Sequence, residues 1–287
     1  MRKFAVIDVG SNSVRLMFVA DGKVLYKALN TTRLGEGLAT SAMLKEEAIA
    51  RSVNAVVAFY DKAKAEGAES VYAFATAAVR SATNGQTFID GVRALRPLQV
   101  EIISGEEEAE IGILGALGYE DGGVIDVGGA STEIVIKAQG KFVFKKSVNI
   151  GVVRLKDKCG RDKNALMQAA REAAREYVGF PSVNNLWAIG GTATTLAALA
   201  LDLQVYNPEK ITGTVLTKDK MQEIADKLAV MSVEEIAALP CIPKGRADVL
   251  LGGAVLLATL MQELGLQTLT ASDRDNLEGY AIKRGLL

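Results

Sequence analysis

The pattern of apolar and polar positions changes period repeatedly along the chain. Runs rich in β-branched and aromatic residues predict β-strands at 3–9, 14–20, 69–75, 98–103, 123–127, 131–137, 141–149, 185–189 and 267–271. Segments with apolar residues at helical spacing occupy 44–66, 84–95, 105–118, 164–178, 191–202, 217–229 and 243–264. Strands that alternate with helices in this way favour an α/β fold.

The chain is long enough for more than one structural unit. With 287 residues, it can form two ordinary domains, each with its own buried core. No low-complexity stretch or block of like charges separates two halves. The glycine-rich turn "GYEDGG" at 118–123 is therefore the best candidate for a boundary.

Two segments of the sequence are closely similar. "IDVGSNSVRL" occupies 7–16 and "IDVGGASTEI" occupies 125–134, and each combines an aspartate, a glycine turn and small hydroxyl or amide residues. Each predicts a strand, a tight turn and a second strand, and turns of successive backbone amides bind anions. Two facing turns could hold a phosphate chain, with Asp8 and Asp126 binding a cation or ordering its waters. The alternative, two ordinary hairpins, does not explain why the aspartate is repeated.

A third glycine-rich segment is "WAIGGTATTLAAL" at 187–199. An apolar strand breaks there at Gly190 and Gly191, and a helix follows. Free N–H groups at a helix N-terminus favour phosphate binding. A simple strand-to-helix turn capped by Thr192 explains the same residues equally well.

Composition and charge narrow the chemistry. The formal net charge of −1 gives no global attraction to DNA or to an anionic membrane. The longest apolar run, at 249–261, is too short to span a bilayer, and the first residues lack a signal-peptide pattern, so we expect a soluble, cytoplasmic protein. The sequence contains no histidine, which excludes imidazole bases and His-ligated metals. Catalysis must therefore use carboxylates, Lys or Arg, hydroxyls, backbone amides and oxygen-bound cations.

The aspartate hairpins and the later glycine turn together resemble the superfamily of actin, hexokinase and acetate kinase. Seven motifs in order over nearly the whole chain resemble, more narrowly, the exopolyphosphatase and guanosine pentaphosphate phosphatase family. They are "DVGSNSVRL", "RLGEGL" at 33–38, "ATAAVRSATNG" at 75–85, "ISGEEEAEIGILGAL" at 103–117, "DVGGASTE" at 126–133, "GGTATTLAAL" at 190–199 and "GRADVLLGGAVLL" at 245–257.

The resemblance implies a fold and an activity. The implied fold has two duplicated actin-like (ribonuclease H-like) domains with a cleft between them, one comprising 1–120 and a C-terminal helix at 276–287, the other 121–275. The implied activity is hydrolysis that depends on Mg²⁺ or Mn²⁺ and releases terminal phosphate from inorganic polyphosphate, from guanosine pentaphosphate, or from both. The chain resembles the short form of the family, which lacks an added phosphohydrolase domain.

Candidate catalytic residues lie in "SGEEEAE" at 104–110. Ser104 and Glu107 have the spacing of a capping box, which leaves Glu106 and Glu108 free for chemistry. The resemblance implies that Glu108 orients or deprotonates the attacking water. It also assigns catalytic roles in the cleft to Arg80 and Arg246.

The resemblance likewise implies a set of phosphate ligands. These are Ser11, Asn12, Ser13, Arg33, Asn84, Gly128, Gly129, Ser131, Thr132, Gly190, Gly191 and Thr192, with Asp8 and Asp126 on the metal. Ala130, Glu110 and Leu277 depart from the family pattern, and we expect them to weaken binding of long polyphosphate.

Two other functions fit the same loops. One is an ATP-dependent kinase acting on a small molecule or on polyphosphate, and the other is a non-catalytic nucleotide-binding sensor. The preferred substrate and the formation of a homodimer are left open by the sequence.

Overall fold

The computed structural model describes residues 3–287 and contains two β-sheets with helices packed around them. The strands of the first sheet are β1 (Lys3–Val9), β2 (Ser13–Ala20), β3 (Lys23–Thr31), β4 (Ser70–Ala75) and β5 (Val100–Ile102). Those of the second are β6 (Gly122–Val127), β7 (Thr132–Ala138), β8 (Lys141–Val148), β9 (Asn185–Ile189), β10 (Val215–Thr217) and β11 (Thr268–Ala271).

Twelve helices occur in the described part of the chain. Those before β6 are α1 (Glu46–Ala65), α2 (Ala77–Ser81), α3 (Gly85–Leu95) and α4 (Gly105–Leu117). The later ones are α5 (Val152–Cys159), α6 (Lys163–Ala174), α7 (Gly190–Ala200), α8 (Pro208–Ile211), α9 (Lys218–Val230), α10 (Val233–Ala237), α11 (Ala247–Glu263) and α12 (Asn276–Lys283).

The two sheets share one topology. The first has the order β3-β2-β1-β4-β5, with an antiparallel meander β1-β2-β3 and parallel pairing of β1, β4 and β5. The second repeats this arrangement as β8-β7-β6-β9-β11 and adds β10 antiparallel at the edge. The predicted α/β fold with a duplicated unit is confirmed.

All nine predicted strands and all seven predicted helices are present, with ends that differ by a few residues. The short elements β10, α8 and α10 carry little periodic signal. The edge strand β3 was not predicted either, because its surface is exposed or half-buried and it lacks the apolar face that marks a strand. The helices α2 and α5 were missed as well, and both lie beside the cleft described below.

The apolar run at 249–261 forms the middle of α11 and is buried on all sides. A helix that is apolar all round belongs in a core, and α11 is at the centre of the largest buried cluster of the second half. None of the helices in residues 3–287 is both long enough and apolar enough to cross a membrane.

The last helix packs back on the first sheet. Leu277 and Tyr280 of α12 are buried beside β1, and the Tyr280 ring stacks on Phe74 with centroids 4.7 Å apart. Glycines bring α12 unusually close to α4: a methyl group at Gly115 would lie 1.8 Å from the Asp275 carbonyl oxygen. Since α4 also contacts β6, β7 and β8, the α4–α12 pair joins the two sheets and holds the start of α12 beside the second half of α4.

Candidate active site

The two aspartate hairpins meet at their turns. Each turn is closed by the same backbone hydrogen bond, Gly10 N–H to Ser13 O and Gly128 N–H to Ser131 O, both 3.0 Å long. The turns touch, because a methyl group at Gly129 would lie only 2.7 Å from the Ser11 Cβ. This contact requires glycine and forms the floor of a narrow cleft with a volume of about 90 Å³.

Most of the predicted site residues line this cleft. They are Asp8, Ser11, Asn12, Ser13, Glu108, Asp126, Gly128, Gly129, Ser131, Gly190, Gly191, Thr192 and Arg246. Residues that are up to 238 positions apart in sequence are thereby brought to one place.

Three predicted phosphate ligands are not among the residues that line the cleft. The Asn84 side-chain amide brackets Leu44, accepting from its N–H at 2.7 Å and donating to its carbonyl at 2.9 Å. The Arg33 guanidinium lies 2.9 Å from Asp248 of α11, and the Thr132 hydroxyl donates to the Ile150 carbonyl at 2.7 Å. Their side-chain polar groups already have protein partners, so their placement indicates structural contacts.

Arg15, which the sequence analysis did not select, lies between two carboxylates. It is opposite Asp8 in the β1–β2 register, and its Nε donates to Asp8 Oδ2 at 3.0 Å. A second nitrogen, Nη1, pairs with Asp275 at the start of α12. Burial raises the pKa of Asp8, and the Arg15 charge opposes this rise. The hairpin register alone could have identified this pair.

Glu133 occupies the corresponding position of the second hairpin, opposite Asp126. Both carboxyls are buried. Asn276 Nδ2 donates to Asp126 Oδ2 at 2.9 Å, and the Ser147 hydroxyl donates to Glu133 Oε1 at 2.6 Å. Burial, with the nearby Glu108 charge, raises the pKa of Asp126 to about 8. Burial and the Asp126 charge raise the pKa of Glu133 to about 7.

Glu108 projects from the first turn of α4 and is 7% exposed. Arg80 holds it: Arg80 Nη1 donates to Glu108 Oε2 at 3.0 Å and to the Ile103 carbonyl at 2.8 Å. Burial raises the pKa of Glu108 well above its usual value, the Glu133 charge adds to the rise, and Arg80 opposes it. A carboxyl group with a perturbed pKa and a cationic partner in a cleft is a candidate for proton transfer.

The neighbouring glutamates have other partners. The Ser104 hydroxyl accepts from the Glu107 N–H at 3.0 Å, which is half of the predicted capping box. The Glu107 carboxylate instead pairs with Lys283 of α12 at 3.1 Å. Glu106 is exposed and pairs with Lys145 at 3.2 Å. Glu108 alone of the three lines the cleft.

Arg246, at the N-terminus of α11, supplies a positive charge from the second half. Its guanidinium lies against Gly191, where a methyl group would be only 1.8 Å from Nη1. Within residues 3–287 it forms no salt bridge, and its buried Nε has no hydrogen-bond partner. Burial and the Arg15 charge lower the pKa of Arg246 to about 10. A buried cation without a carboxylate partner is suited to an anionic ligand.

Comparison with known proteins identifies this arrangement. The family model described as the Ppx/GppA phosphatase family matches residues 5–284. The chain belongs to the Ppx/GppA phosphatase family. The predicted resemblance is confirmed.

Three relatives illustrate the range of similarity within the Ppx/GppA family. Exopolyphosphatase 2 of Mycobacterium tuberculosis is 32% identical over 315 residues, covering 98% of each chain. The Ppx/GppA family member of Aquifex aeolicus has a solved structure with a TM-score of 0.79 and 28% identity, covering 99% of this chain and 98% of that one. A guanosine-5'-triphosphate,3'-diphosphate pyrophosphatase of Photobacterium profundum is 28% identical over 302 residues, covering 99% of this chain and 58% of that protein.

The three departures from the Ppx/GppA pattern have definite places. Ala130 lines the cleft, but its φ is not positive, so the backbone there does not require glycine. Glu110 pairs with Lys145 at 2.9 Å and with Lys283 at 3.2 Å. Leu277 is 1% exposed in the core beneath α12. Glu110 and Leu277 do not line the cleft, and their predicted effect on substrate binding stays a prediction.

The cleft of this Ppx/GppA member contains oxygen atoms suited to a hard cation. Asp8 Oδ1, Asn12 Oδ1 and Asn276 Oδ1 belong to residues that line the cleft, are buried and lack a hydrogen-bond partner in the described part of the chain. Glu133 Oε2 is likewise buried and without a partner there, although Glu133 lies opposite Asp126 and does not line the cleft. No group of three or more Asp, Glu, Cys or His residues in that part forms a metal cage. Mg²⁺ commonly binds through one or two carboxylates and keeps waters or phosphate oxygens as its other ligands. The donor set therefore fits Mg²⁺ or Mn²⁺.

Proposed function

We propose that this protein is a metal-dependent phosphoanhydride hydrolase that releases terminal phosphate from inorganic polyphosphate, from guanosine pentaphosphate, or from both. Family membership and the names of the relatives support this proposal. The observation that carries it is the ion pair between buried Glu108 and half-buried Arg80, beside the two glycine turns that line the cleft. Membership in a phosphatase family does not favour the kinase, whereas the non-catalytic sensor remains an alternative that the experiment below distinguishes.

Phosphate binding would use both halves of the cleft. Residues of the two turns line the space where the hairpins meet, and their backbone amides and hydroxyls would hold phosphate oxygens without a formal charge. Arg246 would add the charge that neutralises them, because it forms no salt bridge of its own within the described residues. The Thr192 hydroxyl already has a protein partner, since it donates to the Val127 carbonyl at 2.9 Å.

Asp8 and Asp126 would hold the metal, with Glu133 beside them. A bound divalent cation would neutralise phosphoryl oxygens and favour the ionised form of these buried carboxyls. Arg15 and Asn276 hold one oxygen of Asp8 and one of Asp126 respectively. The remaining oxygens are thereby oriented before any ligand arrives.

Glu108 would accept the proton of the attacking water. Its burial makes the carboxylate a stronger base than a solvated glutamate, and Arg80 favours the ionised form that the reaction needs. Because Arg80 is also anchored on the Ile103 carbonyl, it holds Glu108 in one orientation. General-base assistance of this kind is worth about 10²–10⁴ in rate.

The decisive experiment measures phosphate release with magnesium from polyphosphates of several lengths, guanosine pentaphosphate and ATP. We expect Glu108→Gln to lose about 10²–10⁴ in turnover while substrate binding, measured by calorimetry, is retained. Glu107→Gln is the matched control: it lies one residue away, pairs with Lys283 and should be mild. EDTA should abolish turnover without unfolding the protein.

Three results would contradict parts of this proposal. Loss of activity in Glu107→Gln but not in Glu108→Gln would move the base to Glu107. Full activity in EDTA would remove the metal role from Asp8 and Asp126. Tight binding of these compounds by the wild-type protein without any phosphate release would favour the sensor.

A further inference from the structure

Arg15 lies at the junction between the cleft and a second, larger cavity. Four residues line both spaces: Arg15, Gly190, Gly191 and Arg246. The second cavity has a volume of about 950 Å³ and lies between the edge strand β3 and the beginning of α12. A substrate that extended past Arg15 would enter this cavity.

The walls of the second cavity are unsuited to a chain of phosphates. Apolar side chains of β3 and α12 form much of the lining, and Asp273, Asp275 and Glu278 add three carboxylates. Lys27 is already occupied, since its Nζ lies 2.7 Å from Glu278 Oε1 and 2.6 Å from the Asp273 carbonyl. Arg246, which lines both spaces, and the exposed Arg274 are the cations on this side that form no salt bridge within the described residues, and the three carboxylates outnumber them.

Of these three carboxylates, Asp275 is the one that bonds to a residue lining the cleft, Arg15. It is 4% exposed, its Oδ1 accepts from the Leu277 N–H at 3.0 Å as the N-cap of α12, and its Oδ2 pairs with Arg15 Nη1. The other Arg15 nitrogens, Nε and Nη2, are bonded to Asp8. All three guanidinium nitrogens therefore have carboxylate partners, and the trio of Asp8, Arg15 and Asp275 carries a net charge of −1.

We propose that Asp275 is a specificity-determining residue that withholds the Arg15 guanidinium from the substrate and fixes a negative charge where the cleft meets the second cavity. Repulsion from a fixed charge grows with the number of charges on the ligand. The protein therefore discriminates against long polyanions relative to short phosphate chains. This inference rests on the proposed function, because it requires a phosphate chain in the cleft.

The test uses Asp275→Asn. Asparagine is as good an N-cap as aspartate, so it can still accept from the Leu277 N–H while the negative charge is removed. Asp162→Asn is the matched control, because Asp162 is an exposed N-cap of α6 that accepts from Asn164 N–H at 2.9 Å. Both changes are made in a Glu108→Gln background with magnesium, which prevents turnover. Calorimetry then measures binding of orthophosphate, pyrophosphate and tripolyphosphate, and thermal denaturation checks folding.

We expect Asp275→Asn to bind tripolyphosphate about three- to tenfold more tightly, with a smaller gain for orthophosphate and with a gain that shrinks at high salt. Asp162→Asn should bind like its parent. In the active protein, which keeps Glu108, Asp275→Asn should raise kcat/KM for long polyphosphate relative to kcat/KM for tripolyphosphate.

Two outcomes separate this inference from the proposed function. If the parent binds these anions but Asp275→Asn binds all of them equally or more weakly, Asp275 does not determine specificity and the proposed function stands. If neither the parent nor any variant binds an anion, the cleft is not a phosphate site, and the proposed function and this inference fail together.

Discussion

The β1–β2 and β6–β7 hairpins are built on one plan and differ in the charge opposite the aspartate. Asp8 is opposite Arg15, whereas Asp126 is opposite Glu133. The first pair is an ion pair. The second is a pair of buried carboxyls whose pKa values rise to about 8 and about 7 because burial penalises their charges.

This difference assigns different tasks to similar segments. One oxygen of Asp8 is held by Arg15, so the first hairpin is already neutralised within the protein. Each hairpin leaves one carboxylate oxygen without a partner, Asp8 Oδ1 in the first and Glu133 Oε2 in the second, but the second hairpin has no cation opposite its aspartate. We infer that the second hairpin depends more strongly on a bound cation than the first does.

The largest expected effect concerns magnesium affinity. We expect Asp126→Asn and Glu133→Gln to weaken magnesium binding by about 10- to 100-fold, because each removes charge from the hairpin that lacks its own cation. Asp8→Asn should weaken binding less, since Arg15 already shares that carboxylate. Titration calorimetry on the folded variants measures all three. A larger loss in Asp8→Asn than in the other two would reverse the assignment.

The next effect is on stability as a function of pH. Burial raises the pKa of Asp126 from 3.8 to about 8, so in the metal-free protein its contribution is fully present below the unfolded pKa and is lost as pH rises to the folded pKa. The free energy of unfolding should fall by about 2 kcal/mol between pH 6 and pH 8 from this group. Denaturant titrations in EDTA measure the change.

The same denaturant titrations, made on two variants and with magnesium, show whether Asp126 causes the pH dependence. Asp126→Asn should remove much of the pH dependence, and magnesium should stabilise the wild-type protein more at pH 8 than at pH 6. Asp8→Asn should instead lower stability at both pH values, because it leaves Arg15 with one partner fewer. If the free energy of unfolding of the wild-type protein in EDTA were equal at pH 6 and pH 8, burial would not raise the pKa of Asp126 as inferred.

Local sequence patterns were sufficient for much of the fold and for the floor of the cleft. The strands and turns are short-range features, and the register of each hairpin follows from its turn. That register also contained Arg15 and Glu133, which could have been found by asking which residue faces each aspartate. The elements that were missed, such as β3 and β10, either lack a buried face or are too short to show a period.

The contributions of α12 could not be predicted in this way. Asn276 lines the cleft, and Asp275 reaches Arg15 beside it, because Gly115 and Gly279 let α12 approach α4 at backbone contact. Their partners, Arg15 and Asp126, are 260 and 150 positions earlier. Arg33 and Asn84 stand in family-like motifs, but the Arg33 side chain pairs with Asp248 of α11 and the Asn84 side chain bonds to the Leu44 backbone; their roles as phosphate ligands stay predictions. Motif membership does not specify the direction of a side chain.

The last two effects are expected at adjacent residues in the second turn, and the smaller of them is at Ala130. Gly129 touches the first turn, and a methyl group there would lie 3.1 Å from the Asn12 backbone nitrogen and closer still to Ser11. Gly129→Ala should therefore cost about 1–3 kcal/mol of stability and lower turnover by separating the turns. Chemical denaturation and phosphate release measure the two effects.

Ala130→Gly makes the reverse change next to it. Ala130 is 1% exposed and has an ordinary backbone conformation, so glycine relieves no strain. It should lower stability by about 1 kcal/mol, because the unfolded chain gains freedom and a buried methyl group is lost. Turnover should stay within about twofold of wild type, since no cleft side chain moves and the turn keeps its closing hydrogen bond. A clear rise in turnover or in affinity for long polyphosphate would instead mean that Ala130 restricts the turn, as its departure from the family pattern suggests. The contact between the two turns would then be less rigid than the close approach of Gly129 to Ser11 implies.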